Sequence, residues 1–281
     1  MSRRAGIIGH PVAHSLSPVF QSAAFAHCGL DVTYERWDTP AAVLSARVAS
    51  LREPAYLGAN VTVPHKEAVL PHLDELGGQS ARMGAVNTIV NRDGRLFGFN
   101  TDGPGFVAAL KNEAAFDPAG RRILLVGAGG AARGIAFALA EARAAEVAIS
   151  NRTAARAEAV AREIGRPVSA VPSDSAVAPY DCIVNCTSVG MHGGPDPDGV
   201  PVRLDGAKRG CLVVDIVYAP EETPLLVAAR ESGLPTLGGL PMLIYQGALA
   251  FEHWTGIPAP VEVMFQAARN ELAKRAVGGP A

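Results

Sequence analysis

Short apolar runs alternate with longer alanine-rich stretches along this chain. Ala5 to Gly9, Val32 to Arg36 and Tyr56 to Val61 are brief, apolar-rich segments and predict β-strands. Pro18 to His27 and Pro64 to Leu73 carry helical spacing and predict helices between or after them. Further on, Arg122 to Val126 predicts a strand, then comes a glycine-rich turn, a helix over Ala131 to Arg143 and a strand over Glu146 to Ser150. Strands are also expected at Asp181 to Asn185 and Cys211 to Val217, and Gly238-Gly239 begins a helical tail that includes Ala248 to Trp254. This rhythm implies the α/β class, with a largely parallel sheet covered by helices. No internal repeat is evident, which removes solenoids and propellers.

Length and composition sharpen the picture. The 281 residues exceed one usual core, since domains run to about 100–200 residues, so two lobes are expected. A hydrophobic fraction of 48% with 19% charged residues is globular, and only Val277 to Ala281 reads as disordered. A net charge of -2 supplies no basic field, which argues against nucleic acid or an acidic membrane as partner. The apolar run near Met1 is too short for a signal segment or a membrane span, so a cytoplasmic protein is expected. Cys28, Cys182, Cys186 and Cys211 form neither a C-x-x-C pair nor a cluster with histidine; reduced thiols and no metal are expected.

The most specific signal is Gly127-Ala128-Gly129-Gly130-Ala131-Ala132, which follows a buried strand and opens a helix. It matches the dinucleotide fingerprint of a Rossmann domain in its required context. Gly127 permits the tight turn, Gly129 lets the backbone approach a pyrophosphate, and the helix N-terminus offers N–H donors and partial positive charge. Where an NAD-binding protein places a carboxylate for the ribose hydroxyl, this chain has Asn151-Arg152-Thr153, followed by Arg156. Two guanidinium groups and a hydroxyl suit a 2′-phosphate, so NADP is expected over NAD.

The other candidate residues fall early in the chain, at the ends of strands or starts of helices. Ser15-Leu16-Ser17-Pro18 places two hydroxyls just before a helix; Ser17 reads equally as an N-cap or as part of an anion site with Ser15. Asn60-Val61-Thr62-Val63-Pro64-His65-Lys66 closes a strand, which puts Thr62 and Lys66 at the carboxyl edge of a sheet, where α/β proteins bind ligands. Asn87-Thr88 and Asn100-Thr101-Asp102-Gly103 likewise follow apolar segments. His14 and His65 are rival proton carriers, although a histidine bonded to backbone is the commoner case.

Taken in order, these motifs resemble the shikimate dehydrogenase family, from Gly9 to Pro18, through Asn60 to Lys66, Gly84 to Thr88 and Asn100 to Gly103. The resemblance continues through Gly127 to Ala131, Asn151 to Thr153, Asn185 to Met191, Asp215 to Tyr218 and Gly239 to Gln246, covering about Gly6 to Trp254. It implies an N-terminal mixed or parallel α/β substrate domain over 1–102 plus 240–281, and an NADP-binding Rossmann domain over 103–239. It also implies reversible NADPH-dependent reduction of 3-dehydroshikimate to shikimate, in aromatic amino acid biosynthesis; the sequence leaves monomer and homodimer both open.

By the same resemblance, Lys66 and Asp102 are catalytic, and Ser15, Ser17 and Tyr218 hold the substrate carboxylate. Thr62, Asn87 and Gln246 join them around the ring. Gly127, Ala128, Gly129, Gly130, Ala131, Asn151, Arg152, Thr153 and Arg156 hold the cofactor, with Ile216 and Gly239 beside its nicotinamide. Gly78-Gln79 stands where many relatives carry an acidic residue. Quinate/shikimate or aminoshikimate dehydrogenases fit nearly the same residues. A non-catalytic, cofactor-sensing paralogue is the reading from another class, and retention of Lys66 with Asp102 speaks against it.

Overall fold

The structure is a computed structural model that describes residues 2–78 and 80–278; of the disorder expected over Val277 to Ala281, Val277 and Gly278 instead end the last helix, and the rest, like Gln79, lies outside the described residues. The chain divides into two compact units, Met1–Thr101 with Ile244–Ala281, and Asp102–Leu243.

The first unit begins with β1 (Arg3–Gly9), α1 (Ser17–His27), β2 (Val32–Asp38), α2 (Leu44–Ser50) and β3 (Gly58–Val61). It continues with β4 (Glu75–Leu76), α3 (Ser80–Met83), β5 (Thr88–Arg92) and β6 (Arg95–Phe99). Its six-stranded sheet runs β2-β1-β3-β5-β6-β4. The first three strands are parallel, whereas β5 is antiparallel to both β3 and β6, so the sheet is mixed. A core of Ile8, Trp37, Leu51, Ala59, Val86, Ile89 and Leu96 packs with α2. A second apolar group joins Phe25 of α1 to Phe251 and Trp254. Each such fully buried side chain contributes about 1.5–3 kcal/mol.

The segment Pro64 to Leu73 is not the predicted helix. It forms turns, with a single 3-10 turn at Leu70–His72. The carbonyl of Lys66, which a helix would pair with the N–H of Leu70, instead accepts from Val86 N at 2.8 Å, while Leu70 N donates to Glu67 O. Pro71 has no N–H for the next rung. A tertiary bond and one proline thus outweigh the apolar spacing.

The second unit holds α4 (Asp102–Ala114), β7 (Arg122–Val126), α5 (Gly130–Glu141), β8 (Glu146–Ser150), α6 (Ala154–Ile164) and β9 (Val168–Val171). It ends with β10 (Cys182–Asn185), β11 (Leu212–Asp215), α7 (Pro224–Glu231) and β12 (Thr236–Leu237). The sheet runs β12-β11-β10-β7-β8-β9, and every pair is parallel. The chain winds outward from β7 to β9, then returns to start β10 on the other side of β7. That is the doubly wound Rossmann order, and its switch point lies between β7 and β10. α4 lies close on α5, because a Cβ added at Gly103 would sit 2.6 Å from Ala138 Cβ and 2.8 Å from Gly134 O.

Two more helices, α8 (Leu240–Thr255) and α9 (Val261–Gly278), complete the chain, and α9 packs on α1. No helix of the described residues is long and apolar enough to cross a membrane.

Candidate active site

In the first unit, Ser15 and Ser17 stand at the head of α1. Ser17 is not the N-cap: it is the first helical residue, and Leu16 holds the cap position without a side-chain bond. The Ser15 hydroxyl oxygen instead accepts from Ser17 N at 3.2 Å, meeting one of the donors that a helix leaves over at its start. The Ser17 side chain is buried. Two arginines fix the loop from its carbonyl side, Arg36 donating to Ser15 O at 3.0 Å and Arg275 to His14 O at 2.8 Å.

Thr62 and Lys66 follow β3, at the carboxyl end of the parallel strands. Between them His65 is 1% exposed, its Nε2 lying 2.5 Å from Thr39 O. The ring is committed to backbone, as the commoner reading of such a histidine anticipates. Asn87 is buried at the head of β5. Its Oδ1 accepts from Thr101 N at 2.8 Å, and its Nδ2 donates to Thr101 Oγ1 at 2.9 Å and to Gln246 Oε1 at 3.3 Å. Asn87 and Gln246, far apart in sequence, are thereby brought together.

In the second unit, Asp102 is the first residue of α4, where the helix dipole favours a negative charge. The glycine turn leaves β7 at the switch point. Gly127 has φ +109, and a Cβ there would sit 2.9 Å from Thr187 Cγ2, so only glycine fits. Its N–H donates to Ser150 O at 2.8 Å, which draws the turn against the end of β8. A Cβ on Gly129 or Gly130 would meet nothing within 4 Å, so the backbone that opens α5 borders unfilled space. A helix start with unoccupied donors and room for close approach fits the pyrophosphate of a dinucleotide.

Asn151, Arg152 and Thr153 follow β8, beside this turn. Asn151 Nδ2 donates to Thr153 O at 2.9 Å, while Arg152, Thr153 and Arg156 are exposed and no carboxylate intervenes. Ile216 and Gly239 also meet, since Gly239 N donates to Val217 O at 3.2 Å and a Cβ on Gly239 would strike Ile216 O. Tyr218 is half-buried, two residues beyond Ile216.

Asn185 and Asp215, quoted only as parts of motifs, prove to organise these turns. Asp215 is fully buried and accepts from Asn185 Nδ2 at 3.0 Å, Val217 N at 3.0 Å and Thr223 Oγ1 at 2.7 Å. Burial raises its carboxyl above the usual range, and the three donors oppose that rise. Asn185 Oδ1 in turn accepts from Thr187 N and Thr187 Oγ1. The turns after β10 and β11 are therefore held by one buried pair. The available signal was a polar residue closing each apolar strand run. Among the described residues, no three His, Cys, Asp or Glu side chains gather as metal ligands would.

Residues 7–89 match the model of the shikimate dehydrogenase substrate binding domain, residues 109–192 that of shikimate / quinate 5-dehydrogenase, and residues 239–269 that of the shikimate 5'-dehydrogenase C-terminal domain. The shikimate dehydrogenase (NADP(+)) of Moorella thermoacetica is 46% identical over 98% of this chain and 95% of its own. The shikimate 5-dehydrogenase of Thermus thermophilus, solved in complex with NADP(H) and shikimate, is 44% identical with a TM-score of 0.88, covering 95% of this chain and 99% of that one. The quinate dehydrogenase of Corynebacterium glutamicum, solved in complex with NAD, shares the fold at a TM-score of 0.88 and 31% identity, over 96% of this chain and 99% of that one. With a mixed sheet followed by a doubly wound one, and likeness of this extent along nearly its whole length, the chain belongs to the shikimate dehydrogenase family.

Proposed function

We propose that this protein reversibly reduces 3-dehydroshikimate to shikimate with NADPH, as a cytoplasmic enzyme of aromatic amino acid biosynthesis. The observation that carries the reading is the glycine turn at the switch point, set beside Asn151-Arg152-Thr153, in a chain 46% identical throughout to an NADP-dependent shikimate dehydrogenase. Gly127 to Ala131 hold the pyrophosphate; Asn151, Arg152, Thr153 and Arg156 meet the 2′-phosphate side, and Ile216 and Gly239 the nicotinamide side. Ser15, Ser17 and Tyr218 take the substrate carboxylate, while Thr62, Asn87 and Gln246 take ring oxygens.

The reduced nicotinamide, when bound, supplies hydride to the carbonyl carbon. As that C–H bond forms, the carbonyl electron pair moves to oxygen, and negative charge grows there. Lys66 as ammonium gives this oxygen its proton from Nζ; in the oxidation direction the amine takes the proton back. Asp102 orients that amino group. No part of this sequence of steps asks for a metal ion.

Nicotinamide absorbance, followed with shikimate and then with quinate as sole substrate, tests the reading. Turnover with shikimate and NADP+ is expected. Turnover with quinate alone, or faster with NAD+, would replace the assignment with a quinate-type enzyme. No absorbance change with either would make the protein a ligand-binding paralogue.

A further inference from the structure

Tyr34 belongs to none of the groups assigned above, yet it sits at a junction of them. The residue lies on β2, 5% exposed, its ring tilted against Trp254 at a centroid distance of 6.1 Å. Its hydroxyl donates to Asn60 Oδ1 at 2.7 Å. Asn60, on β3 and also 5% exposed, donates from Nδ2 to Asn87 O and to Thr88 Oγ1, each at 3.3 Å. Thr88 Oγ1 then donates to Asn87 Oδ1 at 3.1 Å.

The direction of these bonds is not free. A backbone carbonyl only accepts, so Asn60 must turn its NH2 toward Asn87 and its oxygen toward Tyr34. Tyr34 has one proton, which that oxygen claims. Burial raises the Tyr34 hydroxyl well above the usual phenol range, so the proton stays in place at any ordinary pH. The result is a one-way chain from Tyr34 through Asn60 and Thr88 to Asn87, anchored at one end by the main chain. Bonds in such a chain polarise one another, and each loses strength when one is removed.

We propose that Tyr34 is a positioning residue for the substrate site, whose single hydroxyl orients Asn60 and, through Asn60 and Thr88, Asn87. The inference rests on the reading of Asn87 as a substrate contact. Tyr34→Phe keeps the ring against Trp254 but leaves Asn60 Oδ1 without its buried donor.

The test is steady-state kinetics of the wild type, Tyr34→Phe, Asn87→Ala and the double variant, with shikimate and NADP+. Tyr34→Phe should raise the shikimate KM about tenfold while kcat changes less than about threefold and the NADP+ KM stays put. The double variant should be no worse than about twofold beyond Asn87→Ala, because the two residues act as one unit. A lowered melting temperature with an unchanged shikimate KM would reduce Tyr34 to a packing role and overturn the inference. If Tyr34→Phe does not fold, the Asn60 side-chain amide signal of the wild type, followed by NMR during a shikimate titration, decides: it should shift to saturation, and an unmoved signal sinks the idea. A wild type inactive on shikimate would remove the functional reading and this inference together; an active wild type with an insensitive Tyr34→Phe removes the inference alone.

Discussion

Asn87 donates from Nδ2 to Oε1 of Gln246 at 3.3 Å, tying the head of β5 to the second turn of α8 across 159 residues of sequence. A bond over that separation fixes the Gln246 side chain against a residue that Thr101 already holds rigid. Gln246→Ala is expected to lower kcat/KM for shikimate about tenfold, with no change in the KM for NADP+. Kinetics with each substrate varied in turn would check this, and equal losses toward both would assign the effect to general loosening.

Lys66 and His65 are neighbours with opposite expectations. Lys66→Ala should lose at least about 100-fold in kcat, the usual range for a general acid or base, with much less change in substrate affinity. His65 is committed to Thr39 O and shut away from solvent, so His65→Phe should lower the melting temperature while kcat moves far less. Near-normal turnover in Lys66→Ala would take that residue out of the mechanism.

Arg152 and Arg156 are exposed near the end of β8, where a 2′-phosphate would be met. Replacing either by alanine should raise the KM for NADP+ by about tenfold or more, since hydrogen bonds to charged groups are among the stronger ones. The KM for NAD+ should barely respond. A parallel rise for both cofactors would show that the arginines do not read the phosphate.

The thiols offer a check on burial. Cys182, Cys186 and Cys211 are enclosed, and burial pushes all three up, Cys211 to about 11. Cys28 lies half-buried just after α1. At pH 8 a colorimetric thiol reagent should therefore react promptly with one cysteine in the folded protein and with all four in denaturant. Two or more prompt reactions would mean that the second unit opens more readily than its packing implies.

What the sequence revealed, and what it hid, divides along the range of the interactions. The run Arg122 to Val126, the turn at Gly127 and the strand after Ala131 to Arg143 were legible because strand, turn and helix follow one another directly and each is fixed by neighbours. The α/β class and the nicotinamide chemistry followed from that local syntax. Pro64 to Leu73 misled because its fate is settled by Val86, some twenty positions away, which takes the Lys66 carbonyl. For Ser17 the spacing left a cap and an anion site equally open, and the helix begins at Ser17 itself, with Leu16 in the cap position, which removes the first. The Asn185–Asp215–Thr223 bonds join separate elements as well, so no window of sequence contains them.

Gly103 shows where control over a functional group can reside. The residue touches no proposed ligand, but its missing side chain is what lets α4 rest against Ala138 and Gly134 of α5. Asp102 is its immediate neighbour on the same first turn. One extra carbon at 103 would lift that turn off its support and shift the carboxylate without altering it, so a change invisible to any inventory of polar groups can still displace the group proposed here to steer the proton.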